Sequence, residues 1–174
     1  MRSFDFTIYN RIILVGSPGS GKSWLSKRIA EITKYKLIHL DVEYHLPDWG
    51  KPTREEWDDK MQTFIKGENW IIDGNYDRTM EYRFAAADLI IFLDINRFTC
   101  ILGAAKRTGK KRSDLPNYLD EPSVFSKKFF SFCKIIWTFR KWGYKTIIDL
   151  RKKYPEKEFL HIKSRREVKE LLER

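Results

Sequence analysis

Two cysteines and three histidines are all that the 174-residue chain offers for soft-metal or thiol chemistry. Cys100 and Cys133 lie inside apolar runs, TCILG and SFCKIIW, with no CxxC pair and no Cys/His cluster. That pattern excludes a zinc-finger arrangement and a disulfide framework, and it predicts buried free thiols in a reducing cytoplasm. Long apolar runs are missing too, so no membrane span is expected. The N-terminal stretch MRSFDFTIYN lacks the apolar centre of a signal peptide, and a cytoplasmic protein is the resulting expectation. There is no repeat and no low-complexity linker. No Asn-Lys pair occurs anywhere, which removes the NKxD base-recognition motif of regulatory GTPases. The chain is also too short for a large mechanical ATPase.

What is present is positive charge. Lys and Arg number 34 against 24 Asp and Glu, a net charge of +10. Such an excess favours polyanionic partners, whether nucleotides, nucleic acid or acidic surfaces, although solubility alone also accounts for it. Apolar runs alternate with helical patterns along the chain. RIILVG (11–16), YKLIHLD (35–41), NWIID (69–73), DLIIFLDI (88–95) and EFLHIK (158–163) read as strands, the first as a buried one and the fourth as the most apolar. Helices are predicted from Lys22 to Thr33, from a Thr53/Glu56 capping box to Gly67, from Asp77 to Ala86, and over about 98–106. A long helical region starts near Ser123 with Phe125, Phe129, Phe132, Ile136 and Phe139 on one face, and Gly143 is expected to end or kink it. Ser164 and Glu167 open a terminal helix with a second capping box. Strands alternating with helices predict an α/β fold, a three-layer α/β/α arrangement with a five-stranded parallel sheet in a single domain spanning 1–174.

One motif carries specific chemistry. GSPGSGKS at 16–23 satisfies GxxxxGK[ST] at Gly16, Gly21, Lys22 and Ser23, and it lies between a predicted buried strand and a predicted helix. Glycines let successive backbone N–H groups turn toward phosphate oxygens, and the helix N-terminus adds partial positive charge. Lys22 is positioned to reach the β- and γ-phosphates, and the Ser23 hydroxyl to ligate magnesium. Four specified positions in the right context match by chance in well under ~1% of chains of this size, given glycine at about 7% of residues. ATP and Mg2+ are therefore the expected ligands. The nucleotide-binding stretch comprises Gly16, Ser17, Pro18, Gly19, Ser20, Gly21, Lys22, Ser23 and Trp24, with the Trp24 ring read as local packing.

The order of motifs then becomes informative: GSPGSGKS, HLD (39–41), WIIDGNY (70–76), ADLIIFLDINR (87–97) and the basic RTGKKRSD segment. From about Arg11 onward this resembles adenylate-kinase-like P-loop kinases, most closely the bacterial DNA topology modulation (FlaR-like) group. The resemblance implies a P-loop NTPase fold with sheet order 2-3-1-4-5, an acceptor-binding insert at about 42–68, and a small lid at about 107–122. It also implies phosphoryl transfer, with Asp73 of the DG turn holding magnesium through water. Asp94 fits the same strand-end pattern and stays open as the alternative. Asn96 stands where the group has Pro before Arg97, which predicts a looser turn there.

Asp41 reads as a general base or acceptor contact at the end of the second strand. An exposed loop carboxylate is the competing reading. The resemblance implies that Arg78 grips acceptor phosphate, though its spacing from the DG pair differs by one. Arg107 and Arg112 flank the lid and would neutralise charge on the transferring group, while Lys110 and Lys111 read as solvent-facing. Trp49 lies in the acceptor insert and could stack on a ring; His39 and His45 read as structural or rim residues. The function predicted is kinase transfer of phosphate from ATP to a small acceptor such as a nucleoside, nucleotide or sugar-like alcohol. The rival is a nucleotide-gated nucleic-acid-binding protein.

Overall fold

The computed structural model describes residues 4–46, 50–107 and 126–173. The chain enters the sheet at β1 (Arg11–Gly16) and passes through the glycine loop into α1 (Lys22–Thr33) and β2 (Lys36–His39). A short helix α2 (Leu40–Tyr44) and α3 (Arg54–Ile65) lead to β3 (Trp70–Asp73), α4 (Asp77–Ala86) and β4 (Leu89–Leu93). Then come α5 (Arg97–Ala105), α6 (Lys127–Lys153), β5 (Glu158–Ile162) and α7 (Arg165–Leu172). All strand pairs are parallel, in the order β2-β3-β1-β4-β5. The predicted fold class is thus the observed one.

Strand periodicity divides the core into two layers. Ile13 and Val15 of β1 face one side with Trp57, Met61, Met80, Phe84, Phe139 and Ile147, so α3, α4 and α6 cover that face. Ile12 and Leu14 face the other with Leu25, Ile29, Cys100, Ala104 and Val168, so α1, α5 and α7 cover it. The three inner strands are almost wholly buried, as their uninterrupted apolar runs require. Among the described residues no helix is long and apolar enough to cross a membrane.

Local sequence signals explain most element ends. Thr53 and Glu56 form a complete capping box on α3. Ser164 accepts from the Glu167 amide, while Glu167 reaches back to the Lys163 amide (2.9 Å) and the Ser164 hydroxyl (2.8 Å). Three expectations need correcting. Asn96 does not loosen its turn: its side chain accepts from the Phe98 amide (2.9 Å) and caps α5, replacing what proline would have supplied by rigidity. Gly143 does not end α6, which runs on from Lys127 to Lys153; the Phe139 ring packs where a side chain would stand. Asp41 does not end β2. The strand stops at His39, and Leu40 dives into the core, which turns Asp41 into the first turn of α2. The predicted helix start near Ser123 falls outside the described residues, and Ser126 caps α6 as it stands.

Candidate active site

The site is built at the carboxyl ends of β3, β1 and β4, where a parallel sheet presents its loops. From Gly16 the backbone curls through Gly19 (φ 79°) and Gly21 (φ 103°), left-handed conformations that L side chains rarely adopt. Gly21 is the N-cap of α1, so the first amides of the helix point into the loop. Lys22 folds its ammonium back over this cradle, donating to the carbonyls of Gly16 (2.9 Å) and Ser17 (3.1 Å). The residue keeps some solvent exposure, yet its ammonium is enclosed by protein atoms, and desolvation pushes its pKa below lysine's usual value. Asp73 and Asp41 oppose that shift, and Arg107 reinforces it. Three groups singled out from sequence, Asp73, Asp41 and Arg107, therefore act on one ammonium.

The loop is clamped from the neighbouring strand. Asn75 accepts from the Gly16 amide (3.0 Å) and donates to the Gly16 carbonyl (2.9 Å). Beneath it Arg83 is fully buried and donates to the carbonyls of Gly74 (2.6 Å), Asn75 and Tyr76 (3.1 Å). Burial pushes its guanidinium down to about 9, against the pull of Asp77, Tyr76 and Asp73. Arg83 holds the DGNY turn in shape, including Gly74 (φ 142°) and the left-handed Tyr76 (φ 43°). Gly74 must lack a side chain because a Cβ there would meet that of Leu40 at 2.8 Å. The sequence reading passed over both Asn75 and Arg83. A signal for Arg83 existed: it stands in the apolar stripe of Met80, Phe84 and Ala87, where a solvated arginine has no place.

Two carboxylates end the strands on either side of β1. Asp73 is 5% exposed; its Oδ2 meets His39 Nδ1 at 3.0 Å, and its buried Oδ1 has no hydrogen-bond partner. Asp94 meets Arg140 Nη2 at 3.2 and 3.3 Å and His161 Nε2 at 3.2 Å. Arg97 lies over the Trp137 ring, 4.1 Å from its centre.

On the β3 side, Tyr76 donates from its hydroxyl to Asp41 Oδ1 (3.0 Å). Burial first, then the Asp41 charge, hold that phenol well above its usual range, so it remains a donor. Tyr76, Pro52, Thr53, Arg54, Asp77 and Arg78, with Tyr44 and Trp57, line a pocket of about 250 Å3. Arg78 is committed within it, to Asp58 (2.6 Å) and to the Arg54 carbonyl (3.0 Å). Trp24 contributes its amide to the loop junction (3.1 Å to the Gly21 carbonyl), but its ring is half exposed beside Arg28. Trp49 and Arg112, with Lys110, Lys111 and nearly all of the predicted lid, lie outside the described residues; Arg107 sits just past α5, its amide on the Ala104 carbonyl (3.1 Å).

No family model matches the sequence, and no curated protein does. Solved structures do. Shikimate kinase from Acinetobacter baumannii, in complex with shikimate, aligns over 97% of this chain and 93% of its own, with a TM-score of 0.59 at 11% identity. A gluconokinase from Sinorhizobium meliloti 1021 aligns over 94% of this chain and 87% of its own, with a TM-score of 0.54 at 16% identity. Shikimate kinase from Bacteroides thetaiotaomicron covers 95% of each chain at a TM-score of 0.52 and 14% identity. The fold of this chain is the one those small kinases share.

Proposed function

We propose that this chain is a magnesium-dependent kinase that moves the γ-phosphate of ATP to a hydroxyl of a small acceptor. One observation carries the reading: the Lys22 cradle is clamped to a turn whose Asp73 keeps a buried oxygen unpartnered, with Asp41 and Arg107 acting on the same ammonium. The fold shared with small kinases supports it.

Loop amides and Lys22 bind the phosphates of the donor and stabilise charge that builds on the transferring group. Asp73 and Ser23 would hold magnesium. The orphaned oxygen is a hard carboxylate donor suited to that ion, which keeps most of its waters and needs few protein ligands. The ion supplies charge neutralisation at the phosphates when bound. Asp94 is less suited, since its oxygens already serve Arg140 and His161. Asp41 orients the acceptor hydroxyl and takes its proton as the new O–P bond forms. The bond from the γ-phosphorus to the bridging oxygen breaks, and ADP leaves. Arg107 and Arg112 would cover the transferring group from the lid side, excluding water. Trp49 and Arg78 belong to the acceptor side. The narrower likeness to the DNA topology modulation group rests on the motifs quoted above, and it makes the acceptor the central question.

The test is ATP consumption against a panel of nucleosides, nucleotides and small alcohols, with Lys22→Ala as control. Acceptor-stimulated ADP formation that Lys22→Ala abolishes is expected. Tight, salt-sensitive DNA binding altered by ATP, with no stimulating acceptor, would instead identify a nucleotide-gated DNA-binding protein.

A further inference from the structure

Resting on the kinase reading, we propose that the acceptor site takes an uncharged, single-ring compound bearing hydroxyl groups, and selects against acceptors that already carry phosphate or carboxylate. The first reason is charge. The pocket's cations among the described residues are Arg54 and Arg78. Arg78 already spends one guanidinium nitrogen on Asp58 and another on the Arg54 carbonyl. Asp77 lines the same pocket, and Asp41 joins it through Tyr76. With Asp58, two carboxylates thus face two guanidiniums, one of them engaged, while the Asp41 charge is matched by the Lys22 ammonium it acts on. A phosphate carries roughly −1.5 to −2 charges into a lining whose described side chains, taken with Asp58, sum to no net charge.

The second reason is hydrogen-bond polarity. Asp77 Oδ1 is buried without a partner, and Asp41 keeps an oxygen beyond the one that Tyr76 occupies. Both call for donors. Hydroxyls donate; phosphate and carboxylate oxygens only accept. Asp41 also touches the pocket's Tyr76 on one side and acts on the Lys22 charge on the other, so a hydroxyl bound to it lies toward the donor phosphate.

The third reason is shape. Tyr44, Trp57 and Tyr76 pack mutually, with centroids 4.9, 4.7 and 5.1 Å apart, and give the pocket an aromatic wall. At about 250 Å3 it falls below the ~300–1,000 Å3 of sites for drug-sized ligands. A single ring with its hydroxyls fits that space against the wall.

The test uses the full chain and matched probes: inositol with inositol monophosphate, and cyclohexanol with 4-hydroxycyclohexane carboxylate. Turnover is read as acceptor-stimulated ADP formation, and binding separately by titration calorimetry. The neutral member of a pair is expected to win by roughly a hundredfold in kcat/KM, the scale of a several-kcal/mol like-charge clash. Asp58→Asn, which releases Arg78, should narrow that ratio about tenfold. A charged member that binds or turns over better overturns the proposal, and so does failure of every probe to bind. Neutral probes that bind without turnover leave the pocket assignment standing and sink the kinase reading instead.

Discussion

Asp73 and Asp94 invite comparison because the local sequence makes them nearly twins. Each closes an apolar strand beside β1, each is buried, and each meets a histidine from the next strand outward. The difference is one arginine. Arg140, on α6, reaches across to Asp94 and takes both of its oxygens, whereas Asp73 retains an oxygen with nothing to accept from. A carboxylate whose demand is met by protein holds structure together. A buried unsatisfied acceptor costs about 1–3 kcal/mol, and the open oxygen of Asp73 is what the magnesium proposal rests on.

The sharpest way to break that contrast is to remove the charge the site serves. Lys22→Met should cut acceptor-stimulated turnover by roughly a thousandfold or more while leaving the melting temperature unchanged or raised, because a desolvated ammonium is replaced by an apolar chain. A large fall in melting temperature would mean that Lys22 is structural. Next comes the pair itself. Asp73→Asn should lower turnover about a hundredfold and weaken the magnesium dependence, with little thermal effect. Asp94→Asn should leave turnover within about threefold and cost roughly 1 kcal/mol of stability, a modest figure because Arg140 is largely exposed. Reversal of the two profiles would move the metal site to Asp94.

Arg83→Met should destabilise the fold by about 3 kcal/mol, since three turn carbonyls lose their donor in a buried setting. It should also depress turnover by loosening the DGNY turn; chemical denaturation and the turnover assay read the two effects. The smallest expected effect is on pH. Lys22 has a folded pKa below its unfolded one, so the folded state sheds that proton first. Its contribution disfavours folding at neutral pH, and that penalty lifts as pH rises through the lowered pKa toward the usual lysine value. Wild type should therefore gain stability relative to Lys22→Met over that alkaline window, measured by urea titrations at stepped pH.

The phosphate loop was legible because its chemistry is local: the glycines, the lysine and the helix start are adjacent in the chain, and phosphate binding requires that adjacency. The buried strands were legible for a similar reason, as uninterrupted apolar runs such as LIIFL tolerate no solvent. Asn75 was quoted within a motif yet given no work, because its partner Gly16 lies 59 positions away. Asp41 was placed at a strand end because HLD continues an apolar run, and the turn at Leu40 depends on its packing against Gly74.

By itself, then, the sequence determined the glycine loop between strand and helix, the alternation of elements and both capping motifs, all set by short-range sterics, hydrogen bonding and solvent avoidance. Only the tertiary structure decided which strand-end carboxylate is left with an open oxygen. It also decided what clamps the loop and how Arg78, in the pocket beside Tyr76, is engaged. Those outcomes depend on Arg140, Arg83 and Asp58, whose partners come near only once the sheet and its helices have packed.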